Sequence, residues 1–402
     1  MLNKFNMKLE VIKPIDLPLP NSDYLKKSKV IADVIKKEID KNNGCLSFKD
    51  FMDHALYQKD LGYYSSKRQI IGPDGDFITA PEIGNIFAGA IAKQCALAFS
   101  ATAAASVLEI GAGKGSLAVD ILQRLDQMNC LPEQYFIIEI SEKLIKHQKK
   151  KLKDKAPEYS SVVSWITSVP DNFDGIIIAN ELLDAFPFER FARTNENVLQ
   201  LFVSFEKDNF VYKFRKAEKQ LHDYVVLLEK KLGYQLDDGY LSEVSFESQE
   251  WVKETASKIN TGVLLLIDYG ASRKDYYAAN RNHGWTRCHL LHHAHNEPLI
   301  YPGIQDITTW VDFSAVADVA VMMDMKIEGF INQSQFILNS GFENDFNDFV
   351  KLDIKSQIEL TRQIKFLTLP NQMGENFKCL RLSKNITLGE DWFNKGDRAY
   401  LL

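Results

Sequence analysis

Residues 107–115, VLEIGAGKG, constrain this chain more than any other stretch. They begin as a buried strand, carry an acid at Glu109 and end in a loop holding Gly111, Gly113 and Gly115. The next residues, SLAVDILQRL, place Leu117, Ile121, Leu122 and Leu125 on one face of a helix. Strand, glycine loop and helix together form a nucleotide cradle in which the backbone is the binding surface. Side chains there would hold a ligand away, and the tight turns call for positive φ.

Charge decides which nucleotide fits. A dinucleotide site rests a pyrophosphate on the helix N-terminus and reads GxGxxG or GxGxxA, whereas Ser116 follows Gly115 here. Glu109, two residues before the first glycine, repels a phosphate and attracts a cationic amine. S-adenosyl-L-methionine carries such an amine and no phosphate. The next apolar strand, YFIIEIS at 135–141, ends in Glu139. An acid ~20 residues or more beyond the loop is placed to bind ribose hydroxyls. The expected cofactor contacts on these two strands are Glu109, Gly111, Ala112, Gly113, Gly115, Glu139 and Ile140.

A chain of 402 residues suits one large domain with insertions or two ordinary ones, and its 45% apolar and 25% charged content gives it a sizeable core. A net charge of -6 argues against a nucleic-acid partner. Cys45, Cys95, Cys130, Cys288 and Cys379 are scattered and form no CxxC pair, which reads as reduced thiols. No long apolar run suggests membrane insertion, and the N-terminus shows no apolar signal core, so a cytoplasmic enzyme is expected if the source is bacterial.

In chain order, a Pro-bearing lead precedes a helix over 22–41 and a second helix in LSFKDFMDHALY with Ser47 as its cap. A turn-rich loop around Gly72, Pro73, Asp74 and Gly75 leads to a helix starting near Pro81. After Glu139, the basic helix EKLIKHQKKKLKDK presents its lysines to solvent. A short strand lies near Val162 and Val163, and an apolar strand over 175–179 ends in Asn180 and Glu181, with Asp184 close behind. Ligands of open α/β sheets sit at the carboxyl ends of strands; helix capping is the structural alternative for this polar cluster. Residues 188–250 read as short antiparallel strands inserted in the alternation, followed by a helix that Ser245 or Ser248 caps. GVLLLIDYG is a further buried strand, ending in Asp268 and Gly270. Five of the eight histidines (His283, His289, His292, His293 and His295) fall within 281–313, with no recognised ligand spacing; this segment is expected as a polar loop over the active site, without a metal. The remaining chain suggests helices over 313–325, in FINQSQFILNSGF and over 346–366, then a terminal hairpin using FKCLRLSK.

Methyl transfer from a sulfonium asks the protein mainly to position reactants and shape the field. If the acceptor is a guanidinium, carboxylates can orient it, localise its charge and take its proton. Glu181, Asp184, Glu82, Glu243 and Asp268 are the candidates, with Asn180 on the cofactor side. No GxSxG elbow competes with them.

The segments GDFITAPEIG, VLEIGAGKGSL, IIEIS, ANELLDAFP, LLLIDYG, PGIQDITTWVDF and QMGENFK occur in the order seen in the MidA-like methyltransferases, which the chain resembles from about residue 51 to 378. That family includes a mitochondrial complex I assembly factor that methylates an arginine. The resemblance implies an α/β fold of the class I S-adenosylmethionine-dependent methyltransferase type, a Rossmann-like, mostly parallel sheet with an antiparallel final strand. N-terminal helices and an inserted β-containing subdomain complete it. The implied segments are 1–103, a helical part contributing to the cofactor pocket; 104–187, the first half of the core; 188–260, the substrate-side insert; and 261–402, the second half. The implied activity is symmetric dimethylation of an arginine near the quinone site on a core subunit of respiratory complex I, in the mitochondrial matrix if the source is eukaryotic.

Position by position, Gly111, Gly113 and Gly115 match the cofactor loop, Glu139 the ribose acid, and Thr79, Pro81 and Glu82 the leading segment. Asn180, Glu181 and Asp184 match the strand-four motif; Arg287, His292, Asp306, Thr308 and Asp312 match a late loop. Ala112 stands where the family usually has proline, Lys114 where it has arginine, and Leu290 and Leu291 where basic residues are common. The expected catalytic set is Glu181, Asp184 and Glu82, and Thr79, Pro81 and Asn180 join the cofactor contacts. A protein acceptor and a homodimer are expected. A small-molecule O- or N-methyltransferase, and an assembly factor that binds cofactor without catalysis, are the alternatives.

Overall fold

A run of five apolar residues, Val263 to Ile267, is buried on both faces, as a strand inside a helix-covered sheet must be. In the computed structural model, which describes residues 9–14, 16–65, 80–102, 104–342 and 349–402, this run lies within an eight-stranded sheet. Its strands are β1 Ser106–Ile110, β2 Gln134–Ile138, β3 Val163–Ile166, β4 Phe173–Asn180, β5 Ile259–Ala271, β6 Val311–Asp312, β7 Lys326–Asn332 and β8 Phe377–Lys384. The order is β7-β8-β5-β4-β1-β2-β3, with the short β6 paired to the end of β5. Pairings from β5 through to β3 are parallel, whereas β8 runs antiparallel to both β5 and β7. This is the α/β sheet with an antiparallel final strand that the resemblance implies.

Helices α1 Asn85–Thr102, α2 Ser116–Gln127 and α3 Glu142–Lys155 cover part of that sheet. Ile86, Phe87, Ile91 and Cys95 of α1 and Leu117, Ile121, Leu122 and Leu125 of α2 share one core with Val107, Ile176, Ile178 and Leu265. Burying one such aliphatic side chain contributes roughly 1.5–3 kcal/mol, so the stripe read from 117, 121, 122 and 125 is what seats α2. No helix among the described residues is long and apolar enough to cross a membrane.

The chain packs into two units. The one just described comprises residues 78–184, 249–272 and 311–402; the other comprises 1–77, 185–248 and 273–310. The second holds a five-stranded antiparallel sheet in which Val198–Glu206 pairs with Leu46–Ser47, Glu189–Arg193 and Asn209–Lys216, and Tyr240–Val244 pairs with Glu189–Arg193. Helices Ser22–Lys41 and Phe48–Tyr57, the latter capped by the Ser47 hydroxyl, add Ile31, Ile35, Phe48 and Phe51 to the core that contains Phe188, Leu201 and Phe210. The N-terminal helices and the insert are therefore one packing unit. The consecutive segments 1–103, 104–187, 188–260 and 261–402 do not coincide with it, because strand pairing and aromatic burial join residues distant in the chain.

Several elements differ from their sequence expectation. The insert also contains helix Lys219–Leu232, whose buried Leu221, Val225, Leu228 and Leu232 recur at helical spacing and which ends at Gly233 with φ 79. FINQSQFILNSGF divides: Phe330 to Asn332 complete β7, where Phe330 pairs with Leu380, and helix Gln333–Asn339 follows. FKCLRLSK forms no hairpin, since its upstream partner β7 is separated from it by helices and β5 flanks its other side. The late helix runs Ile354–Thr368 behind an Asp353 cap; residues 343–348 and the loop around 72–75 lie outside the described residues.

Gly175 and Gly262 let three backbones meet at the base of β1, β4 and β5. A Cβ on Gly175, where φ is 138, would stand 2.2 Å from the Ser106 carbonyl oxygen, and one on Gly262 would stand 2.2 Å from the Gly175 oxygen. Neither neighbour is a movable side chain. Gly175→Ala is therefore expected to cost on the order of 2–4 kcal/mol of unfolding free energy, measured by urea denaturation; a loss below about 1 kcal/mol would mean the sheet yields there.

Candidate active site

The three loop glycines have different duties. Gly111, Gly113 and Gly115 have φ of 73, 52 and 76, all in the left-handed region where a Cβ costs roughly 1–2 kcal/mol. The Gly111 N–H donates to the Ile138 oxygen at 2.9 Å, tying the loop to the end of β2, and the Gly115 N–H donates to the Ala112 oxygen at 2.7 Å. A Cβ on Gly115 would meet Gln148 Cγ at 3.1 Å and Cα at 3.3 Å. The third glycine thus makes room for α3, whereas Gly111 faces solvent as a cradle requires. Ala112 is buried in the core beneath.

Glu109 is buried at the end of β1, and its Oε2 accepts the Tyr135 hydroxyl at 2.7 Å. Burial raises its pKa from 4.5 to about 7, against the Tyr135 hydrogen bond and with added repulsion from Glu139. At 3% exposure it presents no open face to a ligand. Glu139 stands at the loop's far side: Oε1 accepts the Ser141 N–H at 3.0 Å and Oε2 accepts Gln148 Nε2 at 3.1 Å. Burial again raises its pKa, opposed by those hydrogen bonds. Ile140 next to it is 70% exposed, an apolar surface available to a flat ring.

The leading segment behaves differently from expectation. Thr79 lies outside the described residues; Pro81 and Glu82 fall in a single 3-10 turn, Ala80–Glu82, and the helix begins only at Asn85. Glu82 Oε1 accepts the Ser116 hydroxyl and lies 3.8 Å from Lys151 Nζ, which also donates to Ser116; Oε2 lies 3.9 Å from Lys114 Nζ. A carboxylate committed to two ammonium groups at the start of α2 is a brace for the glycine loop. A general base needs a carboxylate oxygen open to a substrate proton, and both Glu82 oxygens face lysine ammonium groups here.

At the ends of β4 and β5 the acids gather on a turn. Glu181 has φ 50, a left-handed conformation that few non-glycine residues adopt, and its N–H donates to the Ile267 oxygen at 2.9 Å. Asp268 Oδ2 accepts the N–H groups of Leu182, Leu183 and Asp184 at 3.1, 2.8 and 3.2 Å, and Oδ1 accepts that of Tyr269 at 2.8 Å. Burial pushes the Asp268 pKa to about 7 against these four donors, which favour the ionised form. Asp268 is thus a scaffold for the turn carrying Glu181 and Asp184. Asn180 Nδ2 donates to Glu181 Oε1 at 3.3 Å, while its buried Oδ1 has no hydrogen-bond partner among the described residues. A buried acceptor seldom stays unmet, and a cationic amine would satisfy it. Orphaned acceptor, bare loop backbone and Glu139 together fit an adenosyl amino acid.

The late-loop residues belong mostly to the other unit. Arg287 and Thr308 flank the pairing of Arg287–Leu290 with Asp306–Thr308, and His293–His295 adds a third strand, so the histidine-rich stretch is a small sheet and not a loop. Asp306 is buried and accepts the Tyr64 hydroxyl at 2.8 Å; His292 is exposed, with φ 63. Burial lowers the pKa of His289 and of His295 to about 4. Glu243 holds the Trp285 N–H at 2.9 Å and the Thr286 hydroxyl at 2.6 Å, with Arg190 3.4 Å away, and this makes it a structural acid. Asp312, at the end of β6, caps the next helix through Ser314 and Ala315.

Sequence reading passed over Gln148, Trp165 and Tyr135, which bind the cradle together. Gln148 donates to the Gly113 oxygen at 2.9 Å as well as to Glu139, and it accepts Trp165 Nε1–H at 2.8 Å. Its signal was spacing: a neutral amide among lysines, four residues before the buried Leu152.

A mostly parallel sheet whose first strand feeds a left-handed glycine loop, with an acid closing the second and an antiparallel β8 between β5 and β7, is the arrangement expected of an S-adenosyl-L-methionine-dependent methyltransferase. The chain belongs to that family, whose profile matches residues 90–331, and S-adenosyl-L-methionine is its cofactor. It is 27% identical over 381 residues to protein arginine methyltransferase NDUFAF7, mitochondrial, of Danio rerio, covering 86% of this chain and 85% of that protein. The Caenorhabditis elegans homolog is 26% identical over 402 residues, covering 93% and 89%. A Burkholderia thailandensis crystal structure bound to S-adenosyl-homocysteine superposes with a TM-score of 0.90 at 30% identity, covering 96% of this chain and 100% of that one.

The raised pKa of Glu109 makes stability depend on pH. Between 4.5 and about 7 the folded protein keeps a proton that the unfolded chain releases, so this group supports the fold most at low pH and progressively less as pH rises toward 7. Glu109→Gln keeps an acceptor for Tyr135 and removes the charge. Relative to the unsubstituted protein it is expected to gain up to about 3 kcal/mol on going from pH 4.5 to pH 8, measured by denaturant unfolding at both; an unchanged difference would rule out the buried charge.

Proposed function

We propose that the chain is a protein arginine methyltransferase that symmetrically dimethylates an arginine on a core subunit of respiratory complex I. Relatives bearing that enzyme name across most of their length support the arginine reading; the ordered motifs of the MidA-like family support the acceptor. The observation that carries a catalytic reading is the backbone of Glu181. A left-handed non-glycine residue costs of order 1–3 kcal/mol and persists where its surroundings over-determine it, here through Ile267 and the Asp268 turn.

S-adenosyl-L-methionine, when bound, supplies an electrophilic methyl group on its sulfonium. Gly111, Gly113 and Glu139 would hold its adenosyl part, and Asn180 its amino-acid end. Glu181 meets the acceptor guanidinium, which stays protonated in water and offers five N–H donors, and Asp184, buried in the same turn, adds its charge to the field there. Pairing with carboxylates fixes the group's plane and draws its positive charge toward the paired nitrogens. The proton lost as a nitrogen is alkylated passes to a carboxylate oxygen, for which Glu181 is our assignment. In a bacterium this chemistry belongs in the cytoplasm and in a eukaryote in the mitochondrial matrix; the relatives' names call those proteins mitochondrial.

Labelled cofactor incubated with the protein and a lysate of its source is expected to mark arginine in a complex I core subunit. Label confined to small molecules would overturn the proposal. Glu181→Gln should lower kcat by about 10²-fold or more while calorimetric cofactor affinity stays within about threefold; equal loss of both would make Glu181 a cofactor ligand instead.

A further inference from the structure

Gln148 is 2% exposed on a helix otherwise rich in lysine, and both ends of its amide are in use. An indole N–H can only donate, so the Trp165 bond at 2.8 Å holds Gln148 Oε1 toward Trp165 and turns Nε2 toward acceptors. Those acceptors are the Gly113 carbonyl oxygen at 2.9 Å and Glu139 Oε2 at 3.1 Å. The Ser141 N–H fixes the other carboxylate oxygen of Glu139 at 3.0 Å. With one anchor per oxygen the carboxylate cannot rotate, and its remaining lone pairs have set directions.

We propose that Gln148, oriented by Trp165, is the positioning residue that sets ribose recognition in this methyltransferase: it locks Glu139 and the glycine loop into one relative geometry. The inference rests on Glu139 being the ribose acid. Gly115 belongs to the same device, since any side chain there would push against Gln148 Cγ and Cα. The loop and the acid come from different strand ends, and Gln148 is the side chain bonded to both. Without its amide, Glu139 could turn about its side-chain bonds, and a hydroxyl donor would no longer meet a fixed acceptor.

The test is calorimetric binding of S-adenosyl-homocysteine and its 2′-deoxy and 3′-deoxy ribose analogues to the full chain. The unsubstituted protein is expected to lose about tenfold or more in affinity for at least one analogue, the scale of a hydrogen bond to a charged group. Gln148→Leu, shown to be folded by circular dichroism and melting, should bind all three ligands within about threefold of one another. Trp165→Phe keeps an aromatic ring, removes the orienting N–H and should narrow the discrimination in the same direction. Should Gln148→Leu fail to fold, Trp165→Phe alone decides. Glu139→Gln separates the two claims: if it abolishes the discrimination while Gln148→Leu and Trp165→Phe leave it intact, the positioning inference falls and the ribose acid stands. If Glu139→Gln leaves the discrimination intact, the ribose reading falls and the inference falls with it.

Discussion

A single buried carboxylate organises the carboxyl edge of the sheet. Asp268 gathers the N–H groups of three successive residues after β4 and that of its own neighbour Tyr269. Unmet, the buried amides of Leu183 and Asp184 would each cost of order 1–3 kcal/mol; gathered with the others on one side chain, they bend the chain sharply. Glu181 is held in its left-handed conformation by this turn on one side and by Ile267 on the other. Strand ends supply the acids in this fold, but a buried acid from the neighbouring strand supplies their orientation.

Close backbone approach recurs as the second theme. At the base of the sheet Gly175 and Gly262 admit neighbouring carbonyls, and at its top Gly115 admits α3. The glycine-rich loop is therefore only partly a ligand surface. Gly111 faces outward, while Gly115 serves the packing that brings Gln148 beneath the loop. Charges around the cradle are similarly divided: Glu109 and Asp268 are enclosed, Glu82 is neutralised by lysines, and Glu139 is pinned by hydrogen bonds.

Local patterns made much of this legible. The apolar run in β5, the stripe on α2 and the Ser47 cap depend on neighbours within a few residues, and each lies where its pattern put it. Asn180, Glu181 and Asp184 were found because they follow an apolar strand directly. Gln148 and Trp165 were not, because their value lies in each other: seventeen positions apart, they are joined only by helix placement. The ion pairs of Glu82 were hidden for the same reason, its lysine partners coming from the loop and from α3. The histidine-rich sheet and the split of FINQSQFILNSGF were hidden because strand pairing with distant segments overrides helical spacing.

The place of β8 has a consequence for biosynthesis. It follows every other strand of its sheet in chain order, yet it lies inside that sheet, hydrogen-bonded to β5 on one flank and β7 on the other. Until residues 377–384 leave the ribosome, the long apolar β5 has a bare flank, a surface prone to aberrant pairing. A nascent chain of this architecture must keep that flank from pairing wrongly until β8 emerges to cover it.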